Sequence, residues 1–438
     1  MEQTKLPKDW KWVKLGEVCK LKNGFAFKST EYKNKGVPVI RISDIKSGFV
    51  TADKSVKVVQ RKDYEEYLVL ENEILVAMSG ATTGKFGIFK SKEKAYQNQR
   101  VGKFKILNKE NLDNDFLLYQ LHALKRQIEK DAYGGAQPNI SSGKIEAMEI
   151  LLPPKPIQQV IVSKIEELFS EIENGIKSLL TAQQQLKTYR QSVLKWAFEG
   201  KLSLNYDLND EMKTMMKADN NHSPSVNPKN HSSDKGKLPE GWEWKRIEEV
   251  ATVGTGATPL KSKSAYYGGN IPWVTSGALN NEYVREATDF VTEKAVKETN
   301  LTVYPKHTLL VAMYGEGKTR GKCSELLIEA CTNQAIAAIF FDEKEISIKP
   351  YLKYFLLKNY TDVRKKSSGG VQPNLNLGII KKLQFPLAPI DEQQKIIQEI
   401  ETRFSVADKM EESINQSLQQ AEALRQSILK KAFEGKLV

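Results

Sequence analysis

The chain of 438 residues carries the same plan twice. Leu6-Pro-Lys-Asp-Trp-Lys-Trp12 returns as Leu238-Pro-Glu-Gly-Trp-Glu-Trp244 after 232 residues, and Leu75-Val-Ala-Met-Ser-Gly80 returns as Leu310-Val-Ala-Met-Tyr-Gly315 after 235. From Gly134 to Leu202 the match to Gly369–Leu437 runs without a gap, and 30 of the 69 positions are identical. Identity at that level is duplication, so the fold has to accommodate every shared element twice. The agreement is uneven. Arg190-Gln-Ser-Val-Leu-Lys-Trp-Ala-Phe-Glu-Gly-Lys-Leu202 is almost repeated as Arg425-Gln-Ser-Ile-Leu-Lys-Lys-Ala-Phe-Glu-Gly-Lys-Leu437, whereas the interiors, 16–133 and 248–368, share only short motifs. A common frame around divergent interiors points to one mechanical job done twice and two separate recognition jobs.

Each interior reads as mixed strand and helix. Apolar runs predict strands at Val37–Ile42, Glu73–Met78 and Arg100–Leu107, and in the second copy at Ile271–Thr275, Thr308–Met313 and Ala335–Phe341. Phe116–Lys130 places Leu117, Leu121, Leu124 and Ile128 on one helical face, and Pro350 opens its counterpart, where a first-turn proline is tolerated. The frame ends in long helices. In Ile157–Gly200, Ile161, Ile165, Leu168, Ile172, Leu179, Ala182, Leu186, Tyr189, Val193 and Trp196 follow steps of three and four, a heptad seam. Ile396, Ile400, Ala407, Met410, Ile414, Ala421, Leu424 and Ile428 repeat it. The weak seam positions do not coincide: Gly175 corresponds to Met410, and Arg403 to Leu168. Two unlike helices that pack on each other are expected. Ser203–Gly236 is polar and rich in Asn and Ser, and reads as a linker.

Charge locates the recognition job. The net charge is +12, and it is concentrated in the interiors: residues 1–155 hold 28 Lys and Arg against 19 Asp and Glu, and residues 235–390 hold 22 against 16. The long helices are near neutral or acidic. A polyanion met by the interiors, with the helices as a protein-facing spine, is the direct reading. The longest apolar run, Ala335–Phe341, is far short of a membrane span, which needs about 20 residues. No apolar signal core opens the chain, so a cytoplasmic setting is expected. Three cysteines without a CxxC pair, and four dispersed histidines, suggest neither a disulfide framework nor a metal site.

Ala312-Met-Tyr-Gly-Glu-Gly-Lys-Thr319 imitates a phosphate loop behind a strand, and a DNA-stimulated NTPase built on 312–319 is the alternative function. Such a loop needs a helix directly after its threonine, but Arg320-Gly321-Lys322 follows, and the cognate loop Ala77–Lys85 does not fit the pattern. A glycine-rich hairpin loop near DNA is the better reading. Candidate base or phosphate contacts are polar or basic residues beside glycine at strand ends. In the first copy these are Lys28, Arg41, Ser43, Thr82, Thr83, Lys85 and Arg100; in the second, Thr258, Lys261, Thr275, Ser276, Tyr314, Lys318, Thr319 and Arg320. The shared loop Gly134-Gly-Ala-Gln-Pro-Asn139, repeated as Gly369-Gly-Val-Gln-Pro-Asn374, reads first as a structural turn.

The Leu-Pro-x-x-Trp-x-Trp opening, the Gly-Gly-x-Gln-Pro-Asn loop, the Gln158-Gln159 and Gln393-Gln394 helix starts and the Ala-Phe-Glu-Gly-Lys-Leu close together resemble the specificity (S) subunits of Type I restriction–modification systems. The resemblance spans essentially the whole chain, in duplicate. It implies an α+β architecture: two mixed α/β target-recognition domains, a pseudo-twofold repeat joined by two long antiparallel α-helices that form a coiled-coil spacer. The parts would be a first domain at 1–155, its helix at 156–202, a linker at 203–237, a second domain at 238–390 and its helix at 391–438. It implies a non-catalytic reader of a bipartite site in double-stranded DNA. Its partners would be two methyltransferase (M) subunits and restriction (R) subunits, with no membrane. No cofactor is implied in this chain; adenosylmethionine, ATP and Mg would belong to the partner subunits.

Overall fold

Ile74-Leu-Val-Ala77 is apolar at every position because its strand is buried on both faces. Ile74 and Val76 enter one core while Leu75 and Ala77 enter another, as the period-two alternation of a strand requires. Leu309–Ala312 repeats the arrangement, with Leu309 and Val311 on one side and Leu310 and Ala312 on the other. These two strands are the centres of two five-stranded sheets.

The computed structural model describes residues 9–46, 48–132, 138–202, 238–314, 319–368 and 375–438, with the backbone alone over 361–368. The linker and the whole of Gly369–Asn374 lie outside the described residues, as does most of Gly134–Asn139. The first five-stranded sheet runs in the order Cys19–Asn23, Val101–Ile106, Ile74–Ala77, Phe86–Phe89 and Gly48–Val50, antiparallel except for the last pair. The second runs Thr252–Thr255, Ile336–Phe340, Leu309–Ala312, Cys323–Leu326 and Tyr283–Val284, again with only the last pair parallel. In each copy a further sheet contains a parallel pair, Val37–Ile40 with Ala95–Gln97 and Tyr267–Val274 with Cys331–Thr332. A two-stranded ribbon joins the start of each copy to its end, Lys11–Lys14 with Glu149–Leu152 and Glu243–Arg246 with Gln384–Leu387. The divergent interiors therefore share the topology of the five-stranded sheet, while among the described residues the further sheet has four strands in the first copy and three in the second. The expected strands are all present, five of them trimmed where outer residues turn, as Ile42 does into the 3₁₀ turn Ile42–Asp44, whereas Ile271–Thr275 proves to be the end of a longer strand, Tyr267–Val274.

The expected interior helices are Asn114–Ala132 and Lys349–Ser368. Asp113 caps the first, its Oδ1 accepting from the N–H groups of Asp115 at 3.0 Å and Phe116 at 3.1 Å. The long helices are Lys155–Ala197 and Ile390–Phe433. The Phe-Glu-Gly-Lys motif is their stop signal. Gly200 and Gly435 take φ of +73° and +70°, and the next N–H closes the turn, Lys201 onto Trp196 O at 2.9 Å and Lys436 onto Lys431 O at 2.8 Å. The buried Gln158 anchors the other end: its Nε2 donates to Asn111 O and Pro153 O, both at 2.8 Å.

Two compact units result, and they do not follow the repeat. One comprises Met1–Thr181 with Ile414–Val438, the other Ala182–Ser413. In the first, Phe433 packs edge-on against Phe116 at 5.3 Å. In the second, Phe198 packs against Tyr351 at 5.0 Å and Phe355 at 5.4 Å. Each long helix thus ends on the interior helix of the opposite copy. The start of the first helix (Ile161, Ile165) shares a core with the end of the second (Ile428, Leu429), and its end (Val193, Trp196) with the start of the second (Ile396, Ile400), so the pair is antiparallel. The seam corrects the expected heptads at three places. Met410 and Leu424 are 52% and 51% exposed, and Gly175 is also exposed; Glu411, Arg425 and Ile176 turn inward instead. The carboxylate and guanidinium find partners there, so polar residues hold seam positions that hydropathy assigns to apolar neighbours.

One ion cluster braces the second sheet. Glu325, on a central strand, lies 2.7 Å from Lys349 Nζ, 3.3 Å from Lys353 Nζ and 2.9 Å from His307 Nδ1. Lys353 also meets Glu282 at 2.9 Å and stands 4.0 Å above the Tyr283 ring. Burial alone would raise the Glu325 carboxyl, but its bonds to Lys349 and His307 and the nearby lysine charges hold it down at about 2. A depressed carboxyl stabilises the folded state above its unfolded value of 4.5 and loses that contribution as pH falls toward 2. Glu325→Gln is expected to cost about 2–4 kcal/mol at neutral pH. In urea titrations the gap from wild type should close between about pH 5 and 2. A gap independent of pH would disprove the assignment.

Candidate nucleic-acid interface

Three loops meet at the ends of the parallel and central strands of the first domain. They are Arg41–Asp44 after Val37–Ile40, Met78–Lys85 after Ile74–Ala77, and Asn98–Arg100 after Ala95–Gln97. Backbone bonds tie them together: Asn98 N–H donates to Ile40 O at 3.0 Å and Met78 N–H to Arg100 O at 3.0 Å. The Thr82 hydroxyl reaches Ile42 O at 3.2 Å. Arg41, Ser43, Thr82, Lys85 and Arg100 are thereby brought to one loop cluster. Ser43, Lys85 and Arg100 are exposed. Arg41 lies 3.8 Å from Asp44, whose carboxylate also accepts from the Arg41 N–H at 2.9 Å and from the Ser43 and Ser55 hydroxyls at 3.3 and 3.1 Å.

Two expected residues of this copy are placed differently. Thr83 is 4% exposed, and its hydroxyl is spent on Gly80 O at 2.6 Å and Pro138 O at 3.0 Å. It builds the loop and presents nothing at its surface. Lys28 is exposed but stands on another segment, three residues beyond Phe25, whose carbonyl accepts from Gln99 N–H at 2.9 Å. Pro138 also accepts from Gly80 N–H at 3.0 Å, and Ile140 N–H donates to Met78 O at 2.9 Å. The described end of the Gly-Gly-x-Gln-Pro-Asn motif therefore braces the Met78–Lys85 loop, in keeping with a structural turn.

The second domain builds the same cluster from different residues. Asn333 N–H donates to Val274 O at 3.0 Å and Met313 N–H to Ala335 O at 2.8 Å. Thr275 and Ser276 open the 3₁₀ turn Ser276–Asn280, and the exposed Thr258 donates to Gln334 Oε1. Lys261 is exposed on the same segment as Thr258. Tyr314 is half-buried against the core, which raises its phenol. Thr319 and Arg320 are half-buried, and Lys318 lies outside the described residues. After Thr319 the chain turns, with Lys322 N–H on Thr319 O at 3.1 Å, and enters Cys323–Leu326 antiparallel to Leu309–Ala312. A strand stands where a phosphate loop requires a helix.

Backbone pairing also exposes a residue that the sequence offset conceals. Ala77 N–H bonds Lys85 O at 2.8 Å, and Ala312 N–H bonds Lys322 O at 3.0 Å. Gly84 and Gly321 precede these lysines with φ of +82° and +81°. The second loop is two residues longer, so Thr82 and Lys85 correspond to Thr319 and Lys322, not to Gly317 and Arg320. Lys322 Nζ donates to Asn280 Oδ1 at 2.7 Å, tying this loop to the Ser276–Asn280 turn. A second unforeseen requirement is glycine at 24 and 256. A Cβ there would stand 2.1 Å from Gln97 O and 1.7 Å from Thr332 O, so only glycine lets this segment lie against the third loop.

Among the described residues, no helix is long and apolar enough to cross a membrane. The family model described as the Type I restriction modification DNA specificity domain matches residues 7–182 and 239–420. The specificity subunit of the Escherichia coli Type I restriction enzyme EcoDI is 26% identical over 442 residues, covering 100% of this chain and 90% of that protein. The corresponding EcoBI subunit, also from Escherichia coli, is 25% identical over 447 residues, covering 98% and 86%. Among solved structures, a chain from a study of assembly and conformational transition in the type I R-M system superposes with a TM-score of 0.70 at 18% identity, covering 99% of both chains. The HsdS subunit from Thermoanaerobacter tengcongensis gives 0.55 at 18% identity, also over 99% of both.

Proposed function

Because the chain belongs to the Type I restriction–modification DNA specificity family, we propose that its two interiors each read one half of a bipartite duplex site and that its paired helices set the gap between them. The chain is a specificity subunit and not itself an enzyme. The observation that carries the reading is the duplicated loop cluster. Two interiors with little common sequence join three loops by equivalent backbone bonds, and the net positive charge lies in the segments that contain them, 1–155 and 235–390. A conserved scaffold with variable side chains at its loops is what two readers of different sequences need.

The reading divides the residues by job. Lys85 and Lys322 follow positive-φ glycines at equivalent places and are assigned to phosphate. Arg100 is a third phosphate or base contact. Ser43, Thr82, Thr258, Thr275, Ser276 and Thr319 are the polar groups nearest the cluster for base edges. The long helices are assigned a further job, the docking of two methyltransferase subunits through which restriction subunits join. Leu180, Met410 and Leu424, about half exposed at 51%, 52% and 51%, are apolar surface for that purpose.

Lys85→Ala and Lys322→Ala are each expected to weaken binding to every duplex alike and to reduce the slope of log affinity against log salt by about one. Fluorescence anisotropy across a salt series reads both quantities. Unchanged affinity and slope in both variants would remove these loops from the interface.

A further inference from the structure

We propose that Arg190 and Arg425 are positioning residues that hold the spacing between half-sites, each from a junction of three helices. The proposal rests on the bipartite reading above. Within the unit Ala182–Ser413, Arg190 of the first long helix donates through Nη2 to Asp408 Oδ1 at 2.7 Å and Glu411 Oε2 at 3.1 Å on the second. Its guanidinium stands 5.4 Å from the centre of the Phe404 ring. Phe404 in turn meets Tyr354 of the interior helix edge-on at 6.2 Å, and the Tyr354 hydroxyl lies 3.4 Å from Glu401 Oε1.

The other unit contains the same junction with the long helices exchanged. Arg425 of the second helix donates through Nη2 to Glu173 Oε1 at 3.0 Å on the first, and stands 5.4 Å from the Phe169 ring. Phe169 meets Tyr119 of the other interior helix edge-on at 5.9 Å. Arg190 and Arg425, Phe169 and Phe404, Glu173 and Asp408, and Tyr119 and Tyr354 are all 235 positions apart. The repeat has therefore kept a whole junction, at side-chain level, in a molecule whose interiors it let diverge. The arginine side chains are only 21% and 27% exposed, while Asp408 and Glu173 are 70% and 67% exposed, so the cations are partly shielded and the carboxylates reach them from the surface. Arginine suits the place because one planar cation both lies over a ring and donates to a carboxylate.

The junctions also discriminate register. A slide of one heptad would bring Ile397 and Glu401 to Arg190 and, in the same movement, Val162 and Glu166 to Arg425. Both arginines would then meet a carboxylate with an aliphatic side chain where the ring had stood, and Phe404 would come to the place of Glu411 beside Arg190. The opposite slide would offer Glu411 with Asn415, and Ile176 with Leu180, so both rings are lost and Asn415 and Leu180 replace Asp408 and Glu173. Of these three registers, only the observed one sets Phe404 and Asp408 together against Arg190, and Phe169 and Glu173 together against Arg425. Because each junction also contacts an interior helix, it fixes a reading domain to the helix pair as well as one helix to the other.

The test uses the full chain and duplexes carrying its mapped half-sites, with the gap lengthened or shortened one base pair at a time. Wild type should prefer one gap; if it prefers none, the bipartite reading falls and this proposal with it. Arg190→Ala combined with Arg425→Ala should reduce the preference for that gap over its neighbours about tenfold, while half-site sequence preference stays intact. Arg425→Glu combined with Glu173→Arg, in an otherwise wild-type chain, should restore the preference that Arg425→Glu alone lowers. An unchanged gap preference in the double alanine variant would overturn the proposal. So would loss of half-site discrimination with the gap preference retained. Should the double alanine variant not fold, the exchanged pair decides: restored binding at the wild-type gap supports the proposal, and no restoration overturns it.

Discussion

Replacing residues 19–107 with the matching segment of another specificity subunit is expected to change one half of the recognised sequence completely and leave the other half as it was. The segment carries all five strands of the first large sheet, from Cys19–Asn23 to Val101–Ile106, and all three loops of its cluster. The cut at 107 leaves the helix Asn114–Ala132 native. That helix holds Phe116 against Phe433 and Tyr119 against Phe169, so the frame keeps its contacts with both long helices. A cut at 133 would remove them and confound a change of specificity with a loss of stability. The size of the effect follows from base readout: each mismatched base pair costs about 1–3 kcal/mol, so several mismatches in one half-site amount to about a thousandfold or more in affinity. Methylated-motif mapping of the chimera reads the outcome. Simultaneous change of both halves would show that the interiors are not independent readers.

Lengthening both long helices by one heptad is expected to widen the gap and preserve both half-sites. The Arg425–Glu173 pair sets the antiparallel register, and it places Leu418–Gln419 opposite Leu179 within one unit. Insertion after Leu179 and after Leu418 therefore adds matched helix to each strand of the pair without disturbing either junction. Seven residues add about 10.5 Å, or about 3 base pairs of B-DNA. That much added duplex also rotates one half-site by about 100°, so weaker binding is expected together with the longer gap. A lengthened subunit that remains active at the original gap would show that the helices do not set it.

What the amino-acid sequence discloses and conceals here has a physical pattern. The duplication, the long helices and the central strands are legible because they depend on periodicity: Ile74–Ala77 and Leu309–Ala312 are apolar throughout since both faces are covered. The exchange of helix ends is not legible, because nothing in Phe198 or Phe433 says which copy's interior helix receives it. Hydropathy also misplaces the seam at Met410 and Leu424, whose apolar side chains outrank the inward Glu411 and Arg425 until their partners are known. At the interface, residue type identifies Lys85 and Arg100 by charge beside a loop. It cannot separate Thr82 from Thr83, although one hydroxyl ties two loops of the cluster and the other is buried on the carbonyls of Gly80 and Pro138. Lys322 is concealed by a two-residue difference in loop length, which only the backbone pairing of Ala312 resolves.

One chain is expected to read two separate half-sites at a fixed distance. Methylation-sensitive sequencing of DNA from cells carrying the complete system, with and without this subunit, tests it most directly. The expected product is a modified motif of two defined half-sites separated by a constant number of unspecified base pairs, absent when the subunit is deleted. A single uninterrupted motif, or a motif that survives the deletion, would contradict it.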